Sequence, residues 1–200
     1  MIAILDYRAG NLASVKKAFD ALGAQTVITS DPAAVRAAKK IVLPGVGHFA
    51  ATRTLGELGL TTSLRDAIGG GVPFLGICVG MQWLFEGSDE APGVAGLGVL
   101  EGSCRRFPQN DLKCPHVGWN SLAIGKQSRL FAGVEEPSPF AYFTHSFYAE
   151  ASSATTAATD YGVRFAAAVE TDNIFGVQFH PEKSGALGLQ MLRNFVELPC

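Results

Sequence analysis

Short apolar runs alternate with amphipathic stretches through the first part of the chain, and that alternation predicts a series of βα units. Ile2–Leu5 reads as a strand. Asn11 stands at a helix N-cap position, with Leu12, Val15, Phe19 and Leu22 on one helical face and Gly23 as the stop. Thr26–Thr29 is a second strand, and Asp31-Pro32 opens a helix with proline in its first turn. Residues 40–43 form a third strand that runs into Pro44-Gly45-Val46-Gly47. Helical patterns cover residues 48–58 and 60–68 and end at Gly69-Gly70-Gly71, after which an apolar run from Val72 leads to Cys78.

Beyond Phe85 the helical periodicity gives way to runs of strand character at 97–107, 142–149, 163–169 and 174–179. Thr171-Asp172-Asn173 joins the last two as a hairpin. The Ala/Ser/Thr-rich segment 151–159 reads as a surface connection or a weak helix, and an amphipathic helix spans 185–198. Together these elements predict a single α/β domain over residues 1–200. Its mixed sheet is mostly parallel at the centre and antiparallel toward one edge, with helices on both faces.

Composition narrows the function more than the fold. A net charge of −2, with basic pairs scattered along the chain, gives no surface for nucleic acid or anionic lipid. Asp6 stands too early for a secretory leader, and the nearly apolar stretch 72–85 is too short for a bilayer. A soluble cytoplasmic protein is expected. Its four cysteines (Cys78, Cys104, Cys114 and Cys200) contain no C-x-x-C pair, which argues against zinc, and a cytosolic setting argues against disulfides.

One of those cysteines sits in a reactive context. Gly76-Ile77-Cys78-Val79-Gly80 is the Gly-x-nucleophile-x-Gly pattern of a sharp strand-to-helix turn, in which small residues let the backbone fold back on itself. The turn is expected to aim a helix start at the thiol and so favour the thiolate. His180-Pro181-Glu182 supplies the partners: proline biases His180 to extended backbone, where positions 180 and 182 share a face. Glu182 then orients the imidazole toward the thiol, the logic of covalent acyl transfer. The Val79 N–H is one expected oxyanion donor, and the glycine-flanked backbone of Gly45, Val46 and Gly47 is the expected source of a second. Gln82, one helical turn past Cys78, is a candidate substrate contact. His48, His116 and His145 carry no independent case for catalysis.

These residues resemble the triad-type (class I) glutamine amidotransferases, and motifs in the same order span essentially the whole chain. Pro44-Gly45-Val46-Gly47-His48-Phe49, Gly76-Ile77-Cys78-Val79-Gly80-Met81-Gln82, Pro115-His116-Val117-Gly118-Trp119-Asn120, Tyr142-Phe143-Thr144-His145-Ser146-Phe147-Tyr148 and the run from Gly176 to Gly185 resemble its histidine-biosynthesis branch. Val79 replaces a usual leucine, and Thr144 and Phe147 replace a frequent valine and tyrosine. The resemblance implies a flavodoxin-like fold and a Cys78–His180–Glu182 triad that hydrolyses L-glutamine through a glutamyl thioester. It also implies that Gln82, Ser146 and Phe147 grip the substrate, and that neither metal nor organic cofactor takes part. Ammonia then passes to a (β/α)₈ cyclase partner in a heterodimer, giving imidazole glycerol phosphate and an aminoimidazole carboxamide ribotide. In such enzymes glutaminase activity is weak until the cyclase binds its ligand. Asn11 and residues 115–120 are candidates for the docking face, with Trp119 in a loop serving either as an interface residue or as a core plug.

Three other readings share these residues. The chain is then a glutaminase feeding another synthase, a cysteine hydrolase of related α/β scaffold, or a binding or redox protein with Cys78 as a sensor thiol.

Overall fold

Ile2–Leu5 (β1) is buried along its whole length, and its neighbours on both sides explain why. It pairs in parallel with Thr26–Thr29 (β2) on one side and Lys40–Gly45 (β3) on the other. In this computed structural model, which describes residues 1–109, 112–125 and 127–199, eight strands form one sheet in the order β2-β1-β3-β4-β13-β12-β11-β8. Phe74–Cys78 (β4) and Ile174–Val177 (β13) lie at its centre and run parallel. Arg164–Thr171 (β12), Thr155–Asp160 (β11) and Ala123–Ile124 (β8) continue it in antiparallel pairing.

Helices cover the sheet as right-handed crossovers require. Leu12–Ala21 (α1) links β1 to β2, while Pro32–Arg36 (α2) links β2 to β3 in the reverse direction and so lies on the opposite face. Arg53–Glu57 (α3) and Leu60–Gly69 (α4) join α2, where Arg36 Nη1 donates to Ser63 Oγ at 2.7 Å. The last helix, Gly185–Glu197, packs on α1 through an edge-on contact of Phe195 with Phe19. Val15 and Phe19 of α1 and Leu64 of α4 are buried beside the wholly apolar central strands.

Three expectations need correction. The segment 151–159 is neither a helix nor a simple surface link: β11 fills most of it, because Ala157 and Ala158 are small enough to pack against the buried alanines of β12. Of residues 97–107 only Ser103–Arg106 (β6) is a strand, since Gly98 and Gly102 take left-handed conformations that break the run. Trp119 lies in a strand rather than a loop: His116–Ser121 (β7) pairs antiparallel with Phe140–His145 (β9) in a separate two-stranded sheet. Trp119 is 56% exposed, so it is no core plug. A third small sheet joins Gly87–Ser88 (β5), β6 and Phe147–Tyr148 (β10).

Candidate active site

Cys78 ends β4 with φ +54°, a left-handed conformation that costs a residue with a Cβ on the order of 1 kcal/mol or more. The strain holds because the chain turns back against its own sheet. A Cβ on Gly80 would overlap the Leu43 carbonyl oxygen, and one on Gly76 would run into the Gly80 backbone. The helix expected after the elbow (α5) is a single turn, Val79–Gln82. Too few peptide dipoles align there to act strongly on the sulfur, so the expected help from a helix start is small.

β13 lies beside β4 with Val177 opposite Ile77, which carries the residues after it to the Cys78 level. His180 follows in extended backbone, as the following proline favours. Its Nδ1 lies 3.0 Å from Glu182 Oε1, with both side chains 1% exposed. Burial by itself lowers the imidazole pKa. Hydrogen bonding and charge from Cys78 and Glu182 outweigh it and hold His180 up at about 9. His180 is therefore protonated at neutral pH beside the Cys78 sulfur, although its Nε2 makes no well-aligned hydrogen bond among the described residues. Glu182 Oε2 and the Tyr7 hydroxyl are likewise buried without a hydrogen-bond partner among the described residues. Burial, then the negative sulfur of Cys78, pushes the Tyr7 phenol well above its ordinary range.

In front of the sulfur opens a pocket of ≈ 120 Å³. Val46, Gly47, Cys78 and Val79 wall one side, and Thr144, Ser146 and Phe147 are among the residues opposite. Gly45 is not in that wall. It lies beneath the elbow, where a Cβ would meet the Tyr7 hydroxyl, Val79 and Gly80. Gln82 lines the pocket, yet its amide nitrogen is engaged inside the wall, 2.9 Å from Phe147 O and 3.0 Å from Gln178 Oε1. The Cys78 sulfur lies 3.9 Å from Thr144 O and 3.6 Å from Gln178 Nε2.

Glu90 and Gln178 escape sequence reasoning, which puts His145 no further than beside the pocket. Glu90 lines the pocket from the loop after β5, its carboxylate held by the Phe49 N–H at 2.7 Å; nothing in the spacing of that loop marks it. Gln178 did carry a signal, since it shares the alternation that puts 180 and 182 on one face. His145 lines the pocket and belongs to a buried chain of polar side chains. Its Nδ1 is 2.9 Å from Phe147 O, its Nε2 is 3.1 Å from His116 Nδ1, and His116 Nε2 is 3.3 Å from Asn120 Nδ2. Burial lowers His116 to about 4 and His145 to about 3, so both are neutral at pH 7.

The remaining candidates separate cleanly. His48 caps the 3₁₀ turn that follows it, accepting from the Ala50 N–H at 3.1 Å. Cys104 is wholly buried, and burial followed by the charge of Asp89 pushes its thiol far up, whereas Cys114 is exposed. Cys200 lies outside the described residues. No group of three or more His, Cys, Asp or Glu among the described residues is arranged to hold a metal.

The family model for glutamine amidotransferase class-I matches residues 3–198. The chain is 50% identical over 199 residues to imidazole glycerol phosphate synthase subunit HisH of Methanothermobacter thermautotrophicus, covering 99% of this chain and 98% of that one. It is 46% identical over 200 residues to the protein of the same name from Moorella thermoacetica, covering 98% and 94%. Among solved structures, a glutamine amidotransferase superposes with a TM-score of 0.76 at 19% identity, covering 98% of this chain and 97% of the other, a likeness of fold.

Proposed function

The chain belongs to the class-I glutamine amidotransferases, and from that membership we infer that it is the glutaminase subunit of an imidazole glycerol phosphate synthase. It hydrolyses L-glutamine to glutamate and ammonia in histidine biosynthesis, with a cyclase subunit as its partner. The whole chain acts as one amidotransferase domain. No described helix is long and apolar enough to cross a membrane, and we place its work in the cytoplasm.

The observation that carries the catalytic assignment is the meeting of Cys78, from one central strand, with a buried His180–Glu182 pair from the next. The Cys78 thiolate attacks the side-chain carboxamide carbon of glutamine. The Val79 N–H and a backbone N–H of Val46 or Gly47 hold the oxyanion; losing one such donor typically costs on the order of 10²–10³ in rate. His180, oriented by Glu182, gives its proton to the departing nitrogen, which leaves as ammonia. The now neutral imidazole takes a proton from water, whose oxygen attacks the thioester and releases glutamate. Glu90 offers a carboxylate for the substrate α-ammonium, and the rim at Ser146 and Phe147 holds its other end. Gln82 keeps that wall in place from behind.

Free ammonia in neutral water becomes ammonium, which is no nucleophile, so the product passes directly to the (β/α)₈ cyclase of a heterodimer. Val117, Trp119 and Phe140 are more than half exposed. In the β7–β9 register, Val117 pairs with Thr144 of the pocket wall. This apolar face at the pocket mouth suits the docking of the cyclase. Its arrival completes the site by turning a peptide of the Gly45–Gly47 segment toward the oxyanion.

Mass spectrometry after incubation with a glutamine-mimicking electrophile tests the assignment. A single adduct on Cys78, blocked by glutamine, is expected. An adduct on Cys104 or no adduct overturns it. Mixing with the cyclase and its nucleotide substrate then distinguishes this synthase from another, through glutamine-dependent formation of imidazole glycerol phosphate.

A further inference from the structure

We infer that Gln178 is a catalytic residue of this glutaminase site, whose amide N–H donates to the Cys78 sulfur and favours the thiolate. The inference deepens the reading above and rests on it.

The polarity of the contact is fixed by a backbone carbonyl two steps away. Phe147 O can only accept, so the Gln82 side-chain atom 2.9 Å from it is the amide nitrogen. The same nitrogen lies 3.0 Å from one side-chain terminus of Gln178, and a nitrogen donor there requires that terminus to be oxygen. The NH₂ group of Gln178 therefore faces the other way, 3.6 Å from Cys78 Sγ. Both glutamines are buried, Gln178 completely, so no water competes for these bonds and neither amide can flip without losing them.

The carbonyl that sets this direction is itself held from a second side. His145 Nδ1 lies 2.9 Å from Phe147 O and must carry the proton, which leaves its Nε2 to accept. His116 Nδ1, at 3.1 Å, is then the donor, and its Nε2 accepts from Asn120. Two donors thus converge on Phe147 O, and the glutamine ladder beyond it has one permitted orientation.

A thiolate accepts hydrogen bonds better than a thiol, so an N–H aimed at sulfur favours the anion, and more so in a dry interior. The single-turn α5 supplies little of that help. Thr144 O, 3.9 Å from the sulfur, suits the thiol form and opposes the anion. The ionisable groups around Cys78 are His180 with Glu182 behind it, Tyr7 after β1, Cys104 on β6, and Glu90 and His145 at the pocket. Of these only His180 favours the anion. Gln178 adds a neutral donor whose strength does not change with pH.

The test is the pH dependence of Cys78 alkylation by iodoacetamide, which needs no glutamine turnover. A hydrogen bond to a charged group contributes enough that Gln178→Leu should move the profile up by about one pH unit, about tenfold less thiolate at a given pH below the midpoint. Gln178→Glu, of the same shape, should move it at least as far, and in both kcat should fall more than KM rises. Unchanged profiles in folded variants overturn the proposal and leave Gln178 structural. Should either variant fail to fold, side-chain amide NMR of the unsubstituted protein decides. One glutamine NH₂ should titrate with the alkylation midpoint and stop doing so in Cys78→Ala; no such resonance overturns the proposal. Wild-type protein that alkylates as described but never turns over glutamine, even with the cyclase and its nucleotide substrate present, would sink the glutaminase reading instead.

Discussion

Glu182 Oε1 sits 3.0 Å from His180 Nδ1 in an ion pair closed to solvent, and the second carboxylate oxygen of Glu182 has no hydrogen-bond partner among the described residues. Its charge is one of the influences that keep His180 protonated. Glu182→Gln preserves size and a hydrogen-bonding oxygen but removes the charge. The alkaline limb of kcat/KM should then move to lower pH, with kcat falling less than in His180→Asn. General acid–base groups typically contribute 10²–10⁴, and His180→Asn should lose on that order. A pH–rate profile of Glu182→Gln that superposes on wild type would remove Glu182 from the mechanism.

The histidines also shape stability against pH. His180 is raised above its unfolded value near 6.5, so its contribution is fully present below that pH and is lost as pH rises through about 9. His116 and His145 are depressed to about 4 and about 3, so theirs is present above pH 6.5 and is lost as pH falls toward those values. Urea midpoints should therefore be highest near neutral pH and decline on both sides. In His180→Asn the alkaline decline should flatten while the acid decline stays. An alkaline limb of equal slope in the variant would refute the assignment.

Gly80→Ala should disable the elbow, because the added methyl overlaps the Leu43 carbonyl, which is fixed within β3. Overpacking of this kind costs typically 1–3 kcal/mol, so a lowered melting temperature is expected together with loss of glutamine hydrolysis. Gly23→Ala is the comparison: an added Cβ there meets no neighbour, and only its left-handed backbone is penalised. Full activity of Gly80→Ala would show that the turn relaxes easily.

Trp119→Ala should leave the stability within about 0.5 kcal/mol of wild type, as is usual for an exposed position. A buried aromatic anchor at an interface is typically worth 2 kcal/mol or more, so affinity for the cyclase should fall at least about thirtyfold. Titration calorimetry with the cyclase decides it. Unchanged affinity would place the docking face elsewhere.

What the sequence disclosed follows from how each element is stabilised. β1, β3, β4 and β13 are buried along their length and read as apolar runs, and the helices between them repeat at helical spacing. Cys78, His180 and Glu182 were legible because each needs an unusual neighbour: a pair of glycines, a proline, a shared face. β7 was not legible as a strand, because its pattern is inverted: polar His116 is buried, while Val117 and Trp119 face outward. β11 hid in an Ala/Thr composition that suits a surface link equally well until β12 covers it. Glu90 owes its place to tertiary contact alone.

The position of β13 has a further consequence for how the enzyme comes into being. It is the last strand along the chain, yet it occupies the slot between β4 and β12. During synthesis the strand bearing Cys78 lacks this neighbour until residues 174 to 182 emerge, and neither His180 nor Glu182 is at hand before then. A chain cut before residue 174 lacks both the strand beside β4 and the His180–Glu182 pair. The final strand acts as a keystone, closing the sheet and bringing His180 and Glu182 to the Cys78 end of it in the same event.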